Sequence, residues 1–406
     1  MSRPSLLELA CEVAAAWAPR VLEHDQTGAF PDADMADLRT SGLLGLLVPA
    51  HLGGLGGDFE DYVAVATTLA RSSGASALLF NMHASVTGAL AMIPDEVAAA
   101  LGAPPSFFET RDEILRRATS GAMYGVAISE RSAGSRLSAL ETTYTREGSG
   151  YRIRGHKSTC SGAGHLDAYL VAARDGTASE DGPPPISYFV VPGEAIGAID
   201  QGWDPLGMRA TASNGFELDA WVSDEALVGV EGVALLLADV MPEWLVGSYA
   251  AVYVGVAQAA LAAAVEHVRA TSLREPTRDG SPRLVGLGTS PWVRQRVGRA
   301  EAQVEAARLT LEEAARHVDC NPGHPETARW LYRAKLLAGD TAFDVAASLT
   351  EACGLGALMR GAELERLLRD ARCGAVMPPS SDIAANMLGA SALGVDPGVG
   401  LGARPW

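Results

Sequence analysis

The run TTYTREGSGYRIRGHKS, residues 142–158, decides the fold class of this chain. Its polar and apolar residues alternate, and Gly-Ser-Gly interrupts it, which is the pattern of two short strands joined by a tight turn. Similar short runs continue to about residue 229, among them DAYLVAA, SYFVVP and NGFELDAWVS. We therefore predict a middle β domain of antiparallel character over residues 124–229.

Helical periodicity replaces this alternation on both sides of the β region. Before it, LLELACEVAAAWAPRVLEHD and two further runs place apolar residues at helical spacing. After it, VRQRVGRAEAQVEAARLTLEEAARHV and ETARWLYRAKLLAGDTAFDVAASLTEACG are long enough for a bundle. The prediction is an α+β chain with an N-terminal α-helical domain over residues 1–123, the middle antiparallel β domain, and a C-terminal four-helix bundle over residues 230–406.

The composition is that of a globular, acidic protein. Of the 406 residues 48% are hydrophobic and 20% are charged, a balance that supports a buried core rather than disorder. Asp and Glu number 49 against 32 Lys and Arg, so the formal net charge is −17. An acidic surface repels phosphate backbones and anionic lipid headgroups, and we expect neither nucleic acid nor a membrane as a partner.

Two apolar stretches have some features of a targeting or a membrane segment. The first, residues 1–18, contains Glu8 and Glu12 within its apolar periodicity, which a secretory signal would exclude. The second, residues 244–265, is uncharged and long enough to span a bilayer. It is solitary and contains Gly, Ser, Tyr and Gln, so we interpret it as the buried core helix of a bundle.

Cysteine usage favours a reducing cytoplasm. The five cysteines are odd in number and form no Cys-x-x-Cys pair, so neither a disulfide framework nor a zinc ribbon is predicted. The segment RHVDCNPGHPE has the composition of a metal site, with His317, Asp319, Cys320 and His324. Because the sequence shows no second cluster of ligand residues to complete a metal site, we interpret this segment as a polar turn between helices and predict no metal.

Five motifs, in order along the chain, carry a resemblance to a known family. They are FPDADMADLRTSGLLGLLVPAHLGGLGG, YGVAISERSAGSRLSAL, GHKSTCSGAGHLDAYLV, WDPLGMRATASN and ERLLRDAR. Together they resemble the acyl-CoA dehydrogenase superfamily over essentially the whole chain. The resemblance implies FAD bound at the junction of the β domain and the C-terminal bundle. It also implies a homodimer or homotetramer in which one subunit helps to hold the cofactor of the other.

The resemblance assigns nine cofactor-binding candidates. Small and hydroxyl residues on loops let backbone N–H groups approach a flavin or its pyrophosphate. Ser161 stands where the family places a Thr near the flavin N5, and Thr159 where it often places a Trp that packs on the ring. A turn-forming role is the alternative for each serine. The full set is Tyr124, Ser129, Gly134, Ser135, Thr159, Ser161, Arg274, Glu351 and Gly354.

The family's usual catalytic glutamate is replaced by Pro378. Ordinary members abstract an α-proton with a Glu that lies eight residues after the Asp of an Arg-Asp pair, and counting from Asp370 gives Pro378. Proline has no titratable group and no backbone N–H, so the base and half of an oxyanion hole are lost together. The family's alternative glutamate position carries Leu245. Glu243 lies roughly 200° around the helix from it, so we interpret Glu243 as a solvent or helix-start charge unless the helix begins irregularly after Pro242.

Two residues remain as catalytic candidates, His83 and Asp382. Asp382 follows Ser380 and Ser381, where an N-cap with a first-turn acid is the favoured alternative to a base. His83, in LFNMHASVTGAL, is either a core side chain or an acid–base group with an unperturbed pKa of roughly 6.5. His165 is evenly balanced between a turn residue and a catalytic one.

The family's Arg-x-x-Phe-Gly, which reaches a neighbouring subunit's FAD, is absent. Counting thirteen residues from Gln258 gives Thr271, with Arg274 in place of the Phe. Arg274, Arg278 and Arg283, in an unusual loop, either neutralise a pyrophosphate or are solvated loop charges. We expect flavin to bind less tightly than in typical relatives.

Three functions remain open. The first is a flavin-dependent oxidoreductase with a non-standard base, acting on an acyl thioester of CoA or a carrier protein, with an electron-transfer flavoprotein as its redox partner. The second is a monooxygenase that receives reduced flavin from a reductase and requires no α-proton base. The Ser-Gly pair at Ser161 and Gly162 resembles that branch of the superfamily. The third is a catalytically inactive homologue acting as a partner subunit.

Overall fold

The structure, a computed structural model, describes residues 3–178, 185–234, 243–276 and 281–396. Within these ranges helices occupy both ends of the chain and strands its middle, as predicted. The helices of the N-terminal part are α1 (Arg3–Trp17), α2 (Val21–Thr27), α3 (Asp32–Ser41), α4 (Phe59–Ala70), α5 (Gly74–Met92), α6 (Asp95–Ala100) and α7 (Pro105–Thr119).

Local capping defines where the two central N-terminal helices begin. Asp58 and Asp61 form a capping box at the start of α4. Ser73 caps α5 by accepting the backbone N–H of Ser76 at 3.2 Å. Nearly all of α5 is buried, which is the environment that its uncharged sequence favours.

Seven strands form one sheet in the middle of the chain. They are β1 (Tyr124–Ala127), β2 (Thr143–Arg146), β3 (Gly150–Lys157), β4 (Ala168–Asp175), β5 (Ile186–Pro192), β6 (Phe216–Ser223) and β7 (Leu227–Val228). Their order is β6-β3-β2-β4-β5-β7, with β1 also paired to β4. The run quoted at the outset is the β2–β3 hairpin, in which Tyr144 lies opposite Ile153.

The sheet is not purely antiparallel. β4 runs parallel to both β1 and β2, while the pairings β2–β3, β3–β6, β4–β5 and β5–β7 are antiparallel. The reason is the connection between β3 and β4, which is a loop of ten residues rather than a tight hairpin. A connection of this length can pass β2 and place β4 on its other side, running in the same direction as β2.

The C-terminal part is helical. A π-helical turn over Glu243–Gly247 leads into α8 (Ser248–Ala270), which is followed by α9 (Pro291–Cys320), α10 (Pro325–Cys353), α11 (Glu363–Arg372) and α12 (Ser381–Leu393). The three long helices α8, α9 and α10 pack on one another. Two helices, α5 and α8, are long and apolar enough to cross a membrane, but most of each is buried inside the fold.

The segment after α8, expected to be an irregular loop, contains a hairpin. β8 (Ser272–Pro276) pairs with β9 (Pro282–Gly286), and Glu275 lies opposite Arg283. Its leucines, Leu273 and Leu284, are both exposed. Because the hairpin has no buried face, the sequence carries no clear alternation to predict it. Arg278 lies outside the described residues.

Buried charge joins the first helices to the last ones. Arg369, on α11, donates to Asp25 on α2, with Nη2 2.6 Å from Oδ2. Its Nε also donates to Oε1 of Glu365, one helical turn earlier, at 2.7 Å. All three residues are less than one tenth exposed. The guanidinium therefore neutralises Asp25, which would otherwise be desolvated and unpaired, and shares Glu365 with Arg360, whose Nη1 lies 3.6 Å from it.

The next residue, Asp370, joins the β domain to α11. Its Oδ1 accepts the backbone N–H of Met208 at 2.7 Å, and its Oδ2 accepts from Arg366 at 2.9 Å. Gly207 adjoins this contact, and a Cβ there would lie 2.1 Å from the carbonyl oxygen of Arg369. The close approach of loop and helix therefore requires glycine at this position.

Replacing Arg369 by Met should lower the free energy of unfolding by about 3–5 kcal/mol, because Asp25 would remain buried without its partner and Glu365 would keep only the more distant Arg360. Chemical unfolding of the full chain measures this. Arg116→Met is the matched control, because its ion pairs are half-exposed and 3.9 Å long. The control should change stability by about 1 kcal/mol or less. Equal effects of the two substitutions would contradict a structural role for the buried network.

Candidate active site

A cavity of about 850 Å³ lies where the three parts of the chain meet. Helix α5, the loops of the sheet, the start of α8 and the segment 373–379 all contribute to its wall. The helical side of the wall consists of Leu78, Met82, Ser85, Trp244, Tyr249, Val376 and Met377. The volume of the cavity is that of a cofactor or small-molecule site.

Five of the nine predicted cofactor residues line this cavity: Ser129, Gly134, Ser135, Thr159 and Ser161. Gly134 has a φ of +61°, and its loop is closed by two reciprocal 2.8 Å backbone hydrogen bonds to residue 130. Thr159 has a φ of +55°, a conformation that residues other than glycine rarely adopt. Such conformations cluster at functional sites. That these five residues contact a flavin stays a prediction.

Three of the remaining cofactor candidates lie away from the cavity. Arg274 is exposed on β8, and Glu351 pairs with Arg296 on the surface at 2.6 Å. Gly354 ends α10 with a φ of +81°. None of them contributes to the cavity of its own chain. A contact with the flavin of a paired subunit stays a prediction.

His83 and Tyr124 are packing residues and do not reach the cavity. The Nε2 of His83 donates to the carbonyl of Leu44 at 2.8 Å, and its Nδ1 accepts the backbone N–H of Tyr124 at 3.2 Å. The hydroxyl of Tyr124 donates to the carbonyl of Ile114 at 2.9 Å. These bonds require a neutral imidazole, and burial lowers the pKa of His83 to about 4. Both ring nitrogens of His83 are thus engaged within the fold, and a role of His83 as acid or base stays a prediction.

Asp382 and His165 also lie outside the cavity wall. Asp382 is exposed in the first turn of α12, and Ser380 caps that helix by accepting the N–H of Ile383 at 3.4 Å. This arrangement agrees with the N-cap alternative, and a catalytic role of Asp382 stays a prediction. The exposed ring of His165 stacks on Phe30 with 4.0 Å between centroids. Pro378, by contrast, does line the cavity.

The wall contains two carboxylates among the described residues, and the more buried one is Glu130. Its Oε1 lies 2.7 Å from Nζ of Lys157, and both side chains are almost fully buried. Backbone N–H groups of Glu141 and Thr142 also donate to it. Burial by itself would raise the pKa of Glu130, but the ammonium and these donors outweigh it and hold the pKa below its usual value. Glu130 is a structural anion and not an available base.

The second carboxylate, Asp200, is partly exposed and also paired. Its Oδ1 lies 3.1 Å from Nε2 of His156, and its Oδ2 lies 3.6 Å from Nη2 of Arg131. Every carboxylate in the described wall is therefore engaged with a cationic or basic partner. Among the described residues that line the cavity, Glu130 and Asp200 are the only carboxylates.

Glu243 differs from its predicted role as a solvent or helix-start charge. It is buried at the π-helical turn, and its Oε1 accepts the backbone N–H of Gly323 at 3.0 Å. Burial raises its pKa. Because the turn is π-helical, its side chains point in directions other than those of a regular α-helix. Glu243 nevertheless does not line the cavity. The side chain of Leu245 lies outside what the structure describes.

Sequence reasoning missed Trp244 and Tyr249, which form the aromatic wall of the cavity. A Cβ on Gly88 would lie 2.1 Å from the Trp244 ring, so this glycine lets the indole pack against α5. The phenol of Tyr249 lies 3.9 Å from Sδ of Met82, and burial raises its pKa to about 12. It is a neutral donor at ordinary pH. Both residues stand in the uncharged stretch, but a single sequence does not show which face turns inward.

The polar edge of the cavity suits a planar heterocycle such as a flavin. Trp203 contributes a buried indole N–H with no hydrogen-bond partner in the described structure. Hydroxyls of Ser161, Thr211 and Ser213 and the amide of Asn214 face the same space. A flavin carries carbonyl oxygens, ring nitrogens and a ring N–H along one edge. The indole N–H of Trp203 and the amide of Asn214 can donate to the acceptors, and the hydroxyl oxygens can accept from the N–H. When bound, such a group supplies two-electron redox chemistry.

Comparison with known proteins agrees with this architecture. The chain matches the N-terminal domain of acyl-CoA dehydrogenase over residues 6–96, the middle domain over 125–221 and the C-terminal domain over 247–393. It is 30% identical over 364 residues to cyclohex-1-ene-1-carbonyl-CoA dehydrogenase of Geobacter metallireducens, covering 87% of this chain and 88% of that protein.

Monooxygenases are also among the similar proteins. The chain is 28% identical over 323 residues to dibenzothiophene monooxygenase of Mycolicibacterium goodii, covering 76% of this chain and 72% of that protein. Its fold matches FMN-bound TdsC from Paenibacillus sp. A11-2 with a TM-score of 0.82 at 26% identity, covering 96% of this chain and 97% of the other.

The fold and cavity are those of a flavin-dependent oxidoreductase. The chain belongs to the acyl-CoA dehydrogenase family. Membership confirms the predicted fold, enzyme class and flavin cofactor, which is FAD in the family and FMN in the TdsC structure.

The stability of the protein should fall as the pH drops from about 6.5 to about 4, in part because of His83. In that window a histidine of the unfolded chain takes up a proton that the buried ring does not accept, so protonation favours unfolding by up to about 3 kcal/mol. Unfolding free energies of the wild type and His83→Gln, compared at each pH, isolate this contribution. A difference that stays constant between pH 6.5 and 4 would contradict it.

Proposed function

We propose that this protein is a monooxygenase that uses reduced flavin to oxygenate a small, largely apolar substrate. The observation that carries the proposal is the cavity wall, where Pro378 stands in place of a base and the carboxylates Glu130 and Asp200 are both paired. Abstraction of an α-proton needs a free base within reach of the substrate. Oxygenation does not, and the similarity to dibenzothiophene monooxygenase and TdsC supports the same choice.

The helical side of the cavity supports the substrate class. Leu78, Met82, Trp244 and Met377 present apolar surface, and Tyr249 adds a single phenolic donor. Walls of this kind bind substrates mainly by excluding water and orient them with few polar contacts. A small ring compound with one hydrogen-bond acceptor fits this description.

The reaction balances with molecular oxygen and one reduced flavin. One oxygen atom enters the substrate, and the other leaves as water with two electrons and two protons that come from the reduced flavin. A separate flavin reductase then supplies reduced flavin again. We further propose a cytoplasmic enzyme, in keeping with its five free cysteines, that assembles as a homodimer or homotetramer.

Dehydrogenation of an acyl thioester is the second candidate. The 30% identity to cyclohex-1-ene-1-carbonyl-CoA dehydrogenase favours it. It would require a base that does not come from the carboxylates of the described wall. An electron-transfer flavoprotein would then take the place of oxygen as the electron acceptor.

Two measurements on the flavin-loaded protein separate these functions. We expect oxygen-dependent product formation from an aromatic heterocycle that carries one hydrogen-bond acceptor, such as dibenzothiophene, only when a flavin reductase and NAD(P)H are present. Anaerobic mixing of the oxidised holoprotein with a panel of acyl-CoAs should leave the flavin absorbance unchanged. Rapid bleaching by any acyl-CoA would establish the dehydrogenase instead. Failure to bind flavin at all would leave the inactive partner subunit as the remaining function.

Tyr249→Phe should lower kcat/KM for an oxygenated substrate by about fivefold, because removing one neutral hydrogen bond costs roughly 1 kcal/mol. Flavin affinity should not change. Tyr253→Phe is the matched control, because its hydroxyl is buried on the same helix with no partner among the described residues. The control should leave kcat/KM within about twofold of the wild type. If both variants behave alike, Tyr249 does not contact the substrate.

A further inference from the structure

Three hydroxyls form a continuous hydrogen-bonded relay in the cavity wall. Thr211 Oγ1 donates to the carbonyl of Met208 at 2.9 Å. It lies 2.8 Å from Oγ of Ser213, which in turn lies 3.0 Å from Oγ of Ser161. The three side chains are 0%, 5% and 6% exposed, and all three line the cavity. Bulk water is thus largely excluded from the relay.

The direction of this relay follows from its fixed end. A carbonyl oxygen can only accept a hydrogen bond, so the hydroxyl proton of Thr211 is donated to Met208. Ser213 must then donate to Thr211, and Ser161 must donate to Ser213. Ser161 therefore faces the cavity with its lone pairs and no free proton. Reversing the relay would break the bond to Met208 and the mutual polarisation of the chain.

The backbone holds the fixed end of the relay in place. Met208 and Ala212 flank the short helical turn Arg209–Thr211 with φ values of +54° and +42°. Asp370 accepts the N–H of Met208 at 2.7 Å, and the carbonyl of Thr211 accepts the N–H of Gly162 at 2.8 Å. These contacts keep an otherwise unfavourable conformation and aim the Met208 carbonyl at Thr211.

We propose that Thr211 and Ser213 are positioning residues that hold Ser161 as a hydrogen-bond acceptor toward a bound flavin, so that the site favours the reduced ring. Reduction adds a proton to a ring nitrogen and converts it from an acceptor into an N–H donor. The Ser161 hydroxyl, which can only accept a hydrogen bond here, pairs with that N–H. It repels the lone pair that the same nitrogen carries in the oxidised ring. The inference rests on the proposed function only in requiring a flavin in this cavity.

The test measures dissociation constants of the full-length apoprotein for oxidised and dithionite-reduced flavin, under anaerobic conditions, with FMN and FAD in separate titrations. We expect the wild type to bind the reduced form about tenfold more tightly. Thr211→Val and Ser213→Ala should each bring this ratio close to one, because Ser161 is then free to donate into the cavity. A tenfold change in the ratio is about 30 mV in midpoint potential for a two-electron couple.

Two further variants separate positioning from folding. Thr211→Ser keeps the hydroxyl and should restore the wild-type ratio. Thr350→Val removes a buried hydroxyl of α10 that donates to the carbonyl of Ala346 at 2.7 Å, away from the cavity, and it should leave the ratio unchanged. Thermal unfolding of each variant reports whether the fold is intact.

The proposal is overturned if Thr211→Val and Ser213→Ala retain the wild-type ratio, or weaken both redox forms equally. It is overturned as well if the wild type binds neither form, or if Thr211→Ser fails to restore the preference. A wild type with the expected ratio but no oxygenated product would support the relay and remove only the proposed monooxygenation. The two hypotheses therefore fail by different results.

Discussion

The hydrogen bond between the Asp370 carboxylate and the backbone N–H of Met208 sets the geometry of the site. It joins α11 to a loop of the β domain at 2.7 Å, and the adjacent Gly207 allows the backbones to touch. Arg366 and Arg369 surround it with buried positive charge. Because an unpaired buried carboxylate is costly, this contact can form only in one docking of the two parts.

Everything on the polar side of the cavity depends on that docking. The loop that carries Met208 also carries Thr211 and Ser213, and the segment that follows α11 carries Pro378. One buried network therefore positions both the hydroxyls of Thr211 and Ser213 and the segment that contains Pro378. The Arg-Asp pair, read in the sequence only as a landmark for counting, is the structural link between them.

The chemistry of the cavity is defined by how its charges are neutralised. Glu130 is held by Lys157, and Asp200 by His156 and Arg131, so neither is available as a base. A flavin enzyme with such a wall can still use the reactivity of oxygen, which does not need a proton abstracted from carbon. The replacement of the usual glutamate position by Pro378 leaves the cavity and its hydroxyl-rich side in place, and the proposed oxygenation is compatible with both.

The motifs that carry the family resemblance selected five loop residues that line one cavity, while their contact with a flavin stays a prediction. Gly134 and Thr159 have left-handed conformations, and small residues such as Ser135 and Ser161 are placed next to them in short motifs. The position of Pro378 was also predictable, since it needs only a count along the chain from Asp370. His83 was not, because its two hydrogen-bond partners, Leu44 and the N–H of Tyr124, come from distant segments.

The sequence by itself determined the order of helices and strands, because alternation and helical periodicity record which face of each element is buried. It also determined the absence of a base at position 378. Only the tertiary structure decided that Trp244 and Tyr249 face the cavity, that Glu243 turns away from it, and that the hydroxyls of Thr211, Ser213 and Ser161 form one directed relay. Such facts depend on distances between residues far apart in the chain, and a pattern of neighbours along one sequence does not contain them.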